Sequence, residues 1–188
     1  LTNKKAGGCF FCPTGSPTAT LGQIYSVNLD ISGPLQTPNN SGITGIKAVL
    51  SYPSNALSFT QPANQLTTHL PSPWSYTEPT ITTGLGTTYL TIEAFYSQPG
   101  SAGYLVPGNL QFATIDFMTL APGNHTLYLD SAQSHIYAKN ANEDLLLNAQ
   151  SSFVPLSVTI NSVADFSVQI NPGSIDTTIY SQPTPLST

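Results

Sequence analysis

Cys9-Phe10-Phe11-Cys12 is the sharpest chemical motif in the chain, because two thiols at this spacing can close as a disulfide, ligate a metal or cycle as a redox pair. Haem attachment needs His directly after the second Cys, and that position is Pro13. Zinc needs two further ligands, but the chain has no other Cys, and His69, His125 and His135 are widely separated. A redox pair is activated at a helix N-terminus, and no helical pattern follows Cys12. The motif is therefore expected to form a small disulfide loop, or a bond to another chain, in an oxidising compartment.

Oxygen donors give weaker signals. Asn140, Asn142 and Asp144 alternate as the ligands of calcium loops do, but Leu145 follows where Gly is needed and Ser151 stands at the twelfth position in place of an acid. A polar hairpin turn is expected there. Glu78 and Glu93 invite comparison with glycosidases, whose two carboxylates lie ~5–10 Å apart. One falls in a loop-like stretch and the other in a strand pattern, so no spacing ties them together. Neither a nucleophile elbow nor a phosphate-binding Gly loop occurs, and no cofactor or enzymatic activity is expected. Lys47 sits inside a strand pattern. Such a lysine can join an Asn in an isopeptide bond beside an acid, but ordinarily carries its ammonium to solvent.

Trp74 and Tyr76, with Tyr89 and Tyr96 further on, are candidates for rings on which a sugar could stack; the competing reading is a satellite core beneath an irregular loop. Asn39-Asn40-Ser41 and Asn124-His125-Thr126 are glycan acceptor triplets, making Asn39 and Asn124 candidate glycosylation sites.

The remaining composition narrows the class. The 188 residues carry a net charge of −5 with only 7 % charged residues, no arginine, and lysines at 4, 5, 47 and 139 alone. A nucleic-acid partner is excluded, since phosphate recognition needs clustered Lys and Arg. Polarity comes from Ser, Thr, Asn and Gln, while 39 % hydrophobic residues argue for a packed core. A surface of this kind suits the extracellular space or the cell surface. No apolar run is long enough to span a membrane. A chain starting at Leu1 is expected to be a processed precursor or a fragment.

The elements that would position these residues are strands. Tyr25, Val27, Leu29 and Ile31 alternate with polar neighbours, as do Ile46, Ala48, Leu50 and Tyr52 before Pro53. Further strand patterns cover residues 87–96, 110–120, 125–130, 145–147, 155–160, 166–170 and 177–180, with Pro-Gly pairs at 99, 107, 122 and 172 falling between many of them. Short strands and Gly/Pro turns predict an all-β, antiparallel β-sandwich, with residues 61–86 as a long surface loop or irregular edge.

The order TLGQIYSVNLDISG, GIKAVLSYPSNALSFT, LQFATIDFMTLAPGNHTLYLDSA and LLLNAQSSFVPLSVTI resembles the cohesin family, a β-sandwich related to cellulose-binding modules, over residues 18–160. The hairpin through Tyr52-Pro53-Ser54-Asn55-Ala56-Leu57 is the most specific part, although it omits the Asp that the family places between Tyr and Pro. The resemblance implies a non-catalytic module whose partner is a protein, a dockerin-like module bound through one sheet face; the extra segments at both ends point instead to copies of the chain itself, joined through the N-terminal arm or the C-terminal tail. Trp74 and Tyr76 keep a polysaccharide partner open. Three segments are expected: an N-terminal arm with the Cys pair, 1–17; the sandwich, 18–160; and a C-terminal extension, 161–188. In the extension Phe166, Val168 and Ile170 alternate with polar residues. It is expected to begin another domain, pack back on its own sandwich, or complete a neighbour's sheet by strand addition, as in a filament or pilus-like subunit.

Overall fold

A computed structural model describes residues 9–32, 42–98, 103–105, 108–138 and 154–163. They form a sandwich of two sheets. One sheet runs β1 (Phe11–Gly15), β3 (Ile24–Ile31), β10 (Leu110–Thr119) and β5 (Leu57–Ser58), with β6 (Leu66–Thr68) also paired to β10. The other runs β2 (Thr18–Thr20), β13 (Leu156–Asn161), β11 (Gly123–Leu129), β4 (Ile43–Pro53), β9 (Thr87–Tyr96) and β7 (Trp74–Tyr76). Here β8 (Thr80–Thr83) also pairs with β9, and β12 (His135–Ala138) with β4. All pairings are antiparallel except β2 with β13.

The period of two read from the sequence is the period of burial in β3 and β9, while β4 is buried on both faces from Ala48 to Tyr52. Tyr25, Val27, Leu29 and Ile31 of β3 face Ile46, Ala48, Leu50 and Tyr52 of β4 across a core shared with Leu90, Ile92, Phe112, Ile115, Phe117, Leu127 and Ile136. Burying each large apolar side chain contributes roughly 1.5–3 kcal/mol. The ring of Phe117 lies at the centre of an aromatic group, 4.8 Å from Tyr52 and 6.1 Å from Phe59 between centroids.

Of the two readings of residues 61–86 the irregular edge is the one found, while the start of the sandwich differs from the expectation. Residues 61–86 hold a single helical turn, α1 (Pro62–Gln65), and the short strands β6, β7 and β8. Their sequences are too short to display a period, and prolines at 62, 71, 73 and 79 interrupt them. Gln65 pins the turn: its Oε1 accepts from the Thr60 and Gln61 N–H groups at 2.8 and 2.7 Å, and its Nε2 donates to the Asp116 carbonyl at 2.8 Å. The sandwich also begins earlier than residue 18, because Phe11–Gly15 pairs along β3 and puts Phe11 into the core beside Phe112. Only residues 9 and 10 of the expected arm's described part precede that strand. The strand patterns at 145–147, 166–170 and 177–180, the polar turn at 139–144 and nearly all of the extension lie outside the described residues.

Where β4 starts, two backbones touch. Ile43 and Tyr104 exchange N–H···O bonds of 2.9 and 2.8 Å, and a Cβ on Gly42 would stand 2.3 Å from the Gly103 carbonyl carbon. Gly103 itself has φ +89°, in the region that favours glycine. Gly42→Ala is therefore expected to cost about 2–4 kcal/mol through forced separation of these backbones, read as a lower denaturant midpoint.

Burial also fixes an alkaline limit. Desolvation pushes the Tyr52 phenol up to about 12, against an opposing hydrogen bond with Thr88, and the Tyr76 phenol likewise up to about 12. In the unfolded chain both ionise near 10, so above that pH the unfolded state has lost protons which the fold retains. Stability fully present below about pH 10 thus falls as the pH rises through about 12. A denaturant midpoint that holds steady up to about pH 10 and drops between about pH 10 and about pH 12 is the expected result.

Candidate binding face

Residues of β4 that point away from the core are Gly45, Lys47, Val49 and Ser51, and each has a register partner on β9: Phe95, Glu93, Thr91 and Tyr89. On the other side of β4, Tyr137 stands opposite Gly45, His135 opposite Lys47 and Tyr128 opposite Ser51. A repeated design follows. At each end of this face a small β4 residue is flanked by aromatic rings on both neighbouring strands, and an ion pair lies between the ends.

Glycine is needed at position 45 for this. A Cβ there would come within 3.2 Å of Tyr137 Cδ2 and 3.7 Å of Phe95 Cδ1, so the two rings lean over the glycine from either side. They remain accessible, Phe95 at 47 % and Tyr137 at 39 %, and His135 packs 5.6 Å from Tyr137. At the other end Tyr128 is 43 % exposed beside the fully buried Ser51. In the middle, Lys47 Nζ and Glu93 Oε1 are 3.3 Å apart, each side chain about one-third exposed, leaving no net charge from that pair. The 130–134 turn stands against Val49, whose N–H donates to Ser134 Oγ at 3.0 Å and whose carbonyl accepts the Asp130 N–H at 2.8 Å. Asp130 in turn accepts from the Ala132 N–H at 2.9 Å and the Gln133 side chain at 2.7 Å, which holds the turn rigid.

Apart from Ile24 and Met118, which stand in register and are exposed, polar groups dominate the outer face of the opposite sheet, and many of them are engaged with one another. Thr14 donates to Asp30 at 2.6 Å, Ser26 to Asp116 at 2.5 Å and Thr114 to Asn28 at 2.8 Å, with His69 Nε2 2.8 Å from Thr114 Oγ1. A partner would have to replace those bonds to bind there. The aromatic face offers apolar area with no such penalty, and a rigid aromatic surface with few charges is the composition of a protein-binding patch.

Other candidate residues are placed elsewhere. Trp74 is only 8 % exposed and packs against Tyr96 and Tyr104 at centroid distances of 5.4 and 5.9 Å. Tyr76 stacks on Phe112 at 5.6 Å and donates its hydroxyl to the Phe112 carbonyl at 2.8 Å. Both rings point inward from β7, so neither presents a flat face to a sugar, and the satellite-core reading of this cluster is the one that fits. Lys47 is held by Glu93 in the ion pair of this face. The Cα atoms of Cys9 and Cys12 are 5.9 Å apart, within the span that a disulfide bridges. Asn124 is exposed on β11, its Oδ1 accepting from Thr159 Oγ1 at 2.8 Å; Asn39, Phe166, Val168 and Ile170 lie outside the described residues. Among the described residues no group of His, Cys, Asp and Glu is arranged to hold a metal, and no helix is long and apolar enough to cross a membrane.

An antiparallel sandwich with one self-bonded polar face and one aromatic face is the class these residues define. Its fold is that of the cohesins. The chain is similar to the cohesin module of a family 33 glycoside hydrolase from Clostridium perfringens ATCC13124, with a TM-score of 0.56 and 13 % identity over 82 % of this chain and 99 % of that one. It is also similar to a type II cohesin domain from the cellulosome of Acetivibrio cellulolyticus, with a TM-score of 0.52 and 13 % identity over 80 % of this chain and 95 % of that one. No protein-family model and no curated protein matches the sequence.

Proposed function

We propose that this chain is a non-catalytic extracellular module that binds a protein partner through the aromatic outer face of the β11–β4–β9 layer, as part of a cell-surface assembly. The observation that carries the proposal is the paired arrangement of Phe95 with Tyr137 and Tyr89 with Tyr128 about small β4 residues, beside one internal ion pair. Aromatic anchors dominate protein interfaces because they bury large rigid area at little entropic cost. The cohesin-like fold supports a dockerin-like module as the partner. A second copy of the chain is the alternative protein occupant, and a polysaccharide lying across Phe95 and Tyr137 is the alternative of another class.

Calorimetric titration of the domain with a panel of dockerin modules, and retention on insoluble polysaccharides, tests this reading. Saturable binding of a dockerin that Tyr137→Ala weakens supports it. Retention on polysaccharide alone moves the face to the carbohydrate-binding class, and binding unaffected by changes at Phe95, Tyr128 and Tyr137 removes the face from the proposal.

An oxidising location goes with a closed Cys9–Cys12 loop and a glycan on Asn124. For so small a loop the chain-entropy relation gives about 2 kcal/mol of stabilisation. Cys12→Ser is expected to lower stability by that order, and the untreated protein should show no free thiol in an alkylation assay. The proposed division is a sandwich starting at β1 and an extension from residue 161 with a role of its own.

A further inference from the structure

β8 is the one strand among the described residues whose every residue is exposed. It pairs with β9 through Thr80↔Thr91 to Thr83↔Thr88, and among the described residues no strand pairs with its second edge. An open edge is a template for another chain, and proteins ordinarily guard one with Lys, Pro or a bulge. Thr80-Ile81-Thr82-Thr83 contains none of these; its residues are β-branched throughout, which favours further pairing. Ile81 adds an apolar reason. It stands opposite the fully buried Leu90, yet is itself 41 % exposed, as a side chain at the unfinished rim of a core would be.

The chain carries a segment of matching character. Phe166, Val168 and Ile170 alternate with Ser167 and Gln169, so that laid beside β8 the three apolar side chains would share one side and extend the rim at Ile81. The segment cannot reach β8 of its own chain. Between β13 and β8 lie β11, β4 and β9, a lateral distance of about 19 Å at ~4.8 Å per strand. Register carried through those strands sets Asn161 roughly five residues, about 17 Å, beyond the Thr83 end of β8, with the chain heading further away. The five steps from Asn161 to Phe166 span ~18 Å at most, short of the roughly 25 Å that these offsets combine to.

We propose that β8 accepts residues 165–170 of a second copy of this chain as an added strand, building a head-to-tail polymer. Main-chain hydrogen bonds to β8 supply affinity, and Phe166, Val168 and Ile170 beside Ile81 fix the register. Because donor and acceptor are different parts of the chain, the contact is heterologous and propagates. It uses the β8 edge, which borders the aromatic face where Thr82 stands opposite Tyr89 but involves neither Phe95 nor Tyr137.

The test uses the complete chain in light scattering over a range of concentrations, with negative-stain imaging of the product. Concentration-dependent linear oligomers are expected. Thr80→Lys/Thr82→Lys, which places charge on outward-pointing side chains of β8, is expected to raise the concentration for assembly at least tenfold without changing the monomer's melting temperature, and Val168→Asp to do the same. Tyr137→Ala leaves assembly unchanged. In a mixture of Ile81→Cys chains and Val168→Cys chains, oxidation should give a mixed dimer. A chain that stays monomeric at every concentration, β8 variants that assemble like the parent, or the absence of the mixed dimer overturns the proposal. So does an efficient cross-link within one chain carrying both cysteines.

Discussion

Replacing Phe95 and Tyr137 together by alanine is expected to weaken binding of the protein partner at least a hundredfold while leaving the fold intact. Both rings lie outside the core, so their loss exposes no buried layer, and each forms part of the cover over Gly45. Aromatic hot-spot truncations cost about 2 kcal/mol or more each, and two that share one cluster add incompletely. The readout is the dissociation constant by calorimetry beside an unchanged melting temperature. Equal affinity in the double variant would mean that the partner docks elsewhere. A useful companion is Gly45→Val: the added side chain meets Tyr137 and Phe95 and pushes them apart, so affinity should fall although no ring is removed.

Phe117→Ala should give the largest loss of stability in the molecule, about 3–5 kcal/mol, the range for deleting a buried aromatic ring and leaving a cavity. Phe117 is completely buried on β10, and its ring meets Tyr52 on β4 and Phe59 beyond β5, so one truncation loosens both sheets. Chemical denaturation with a shifted midpoint and an unchanged slope checks it. A cost near 1 kcal/mol would show that Tyr52 and Phe59 collapse into the space. This loss also separates structural from binding effects, because a destabilised Phe117→Ala domain that still folds should keep its affinity.

Much of the sandwich was legible because the sequences of its long strands alternate: β3, β4, β9 and β10 all lie where the period of two places them, with burial following that period cleanly in β3 and β9. Residues 61–86 were not legible, since strands of three or four residues between prolines are too short to show a period and are held by tertiary pairing to β9 and β10. The candidate face was partly readable. Tyr89 and Tyr96 were grouped as possible stacking rings, yet they stand an odd number of residues apart on one strand and must point to opposite sides. Parity alone therefore assigns Tyr89 to the face of Glu93 and Phe95, and Tyr96 to that of Ala94 and the core. What parity could not give is the contribution of β11 and β12, because Tyr128 and Tyr137 reach the face only through their register with β4. Trp74 stays open between two readings for a related reason: a lone Trp in an irregular stretch shows no orientation until β7 is seen turning it inward.

The parallel pairing of β2 with β13 has a mechanical meaning. Thr18–Thr20 lies beside residues 159–161, and the Pro17 carbonyl accepts the Thr159 N–H while the Asn161 carbonyl accepts the Leu21 N–H, at 2.9 and 2.8 Å. Tension that pulls the N-terminal end of β2 against the C-terminal end of β13 runs along both strands in opposite senses. Those bonds are loaded together in shear, where an antiparallel terminal pair would unzip one bond at a time. The β2–β13 joint is thus a clamp placed behind β1, whose antiparallel pairing with β3 meets a pull on the N-terminal side first.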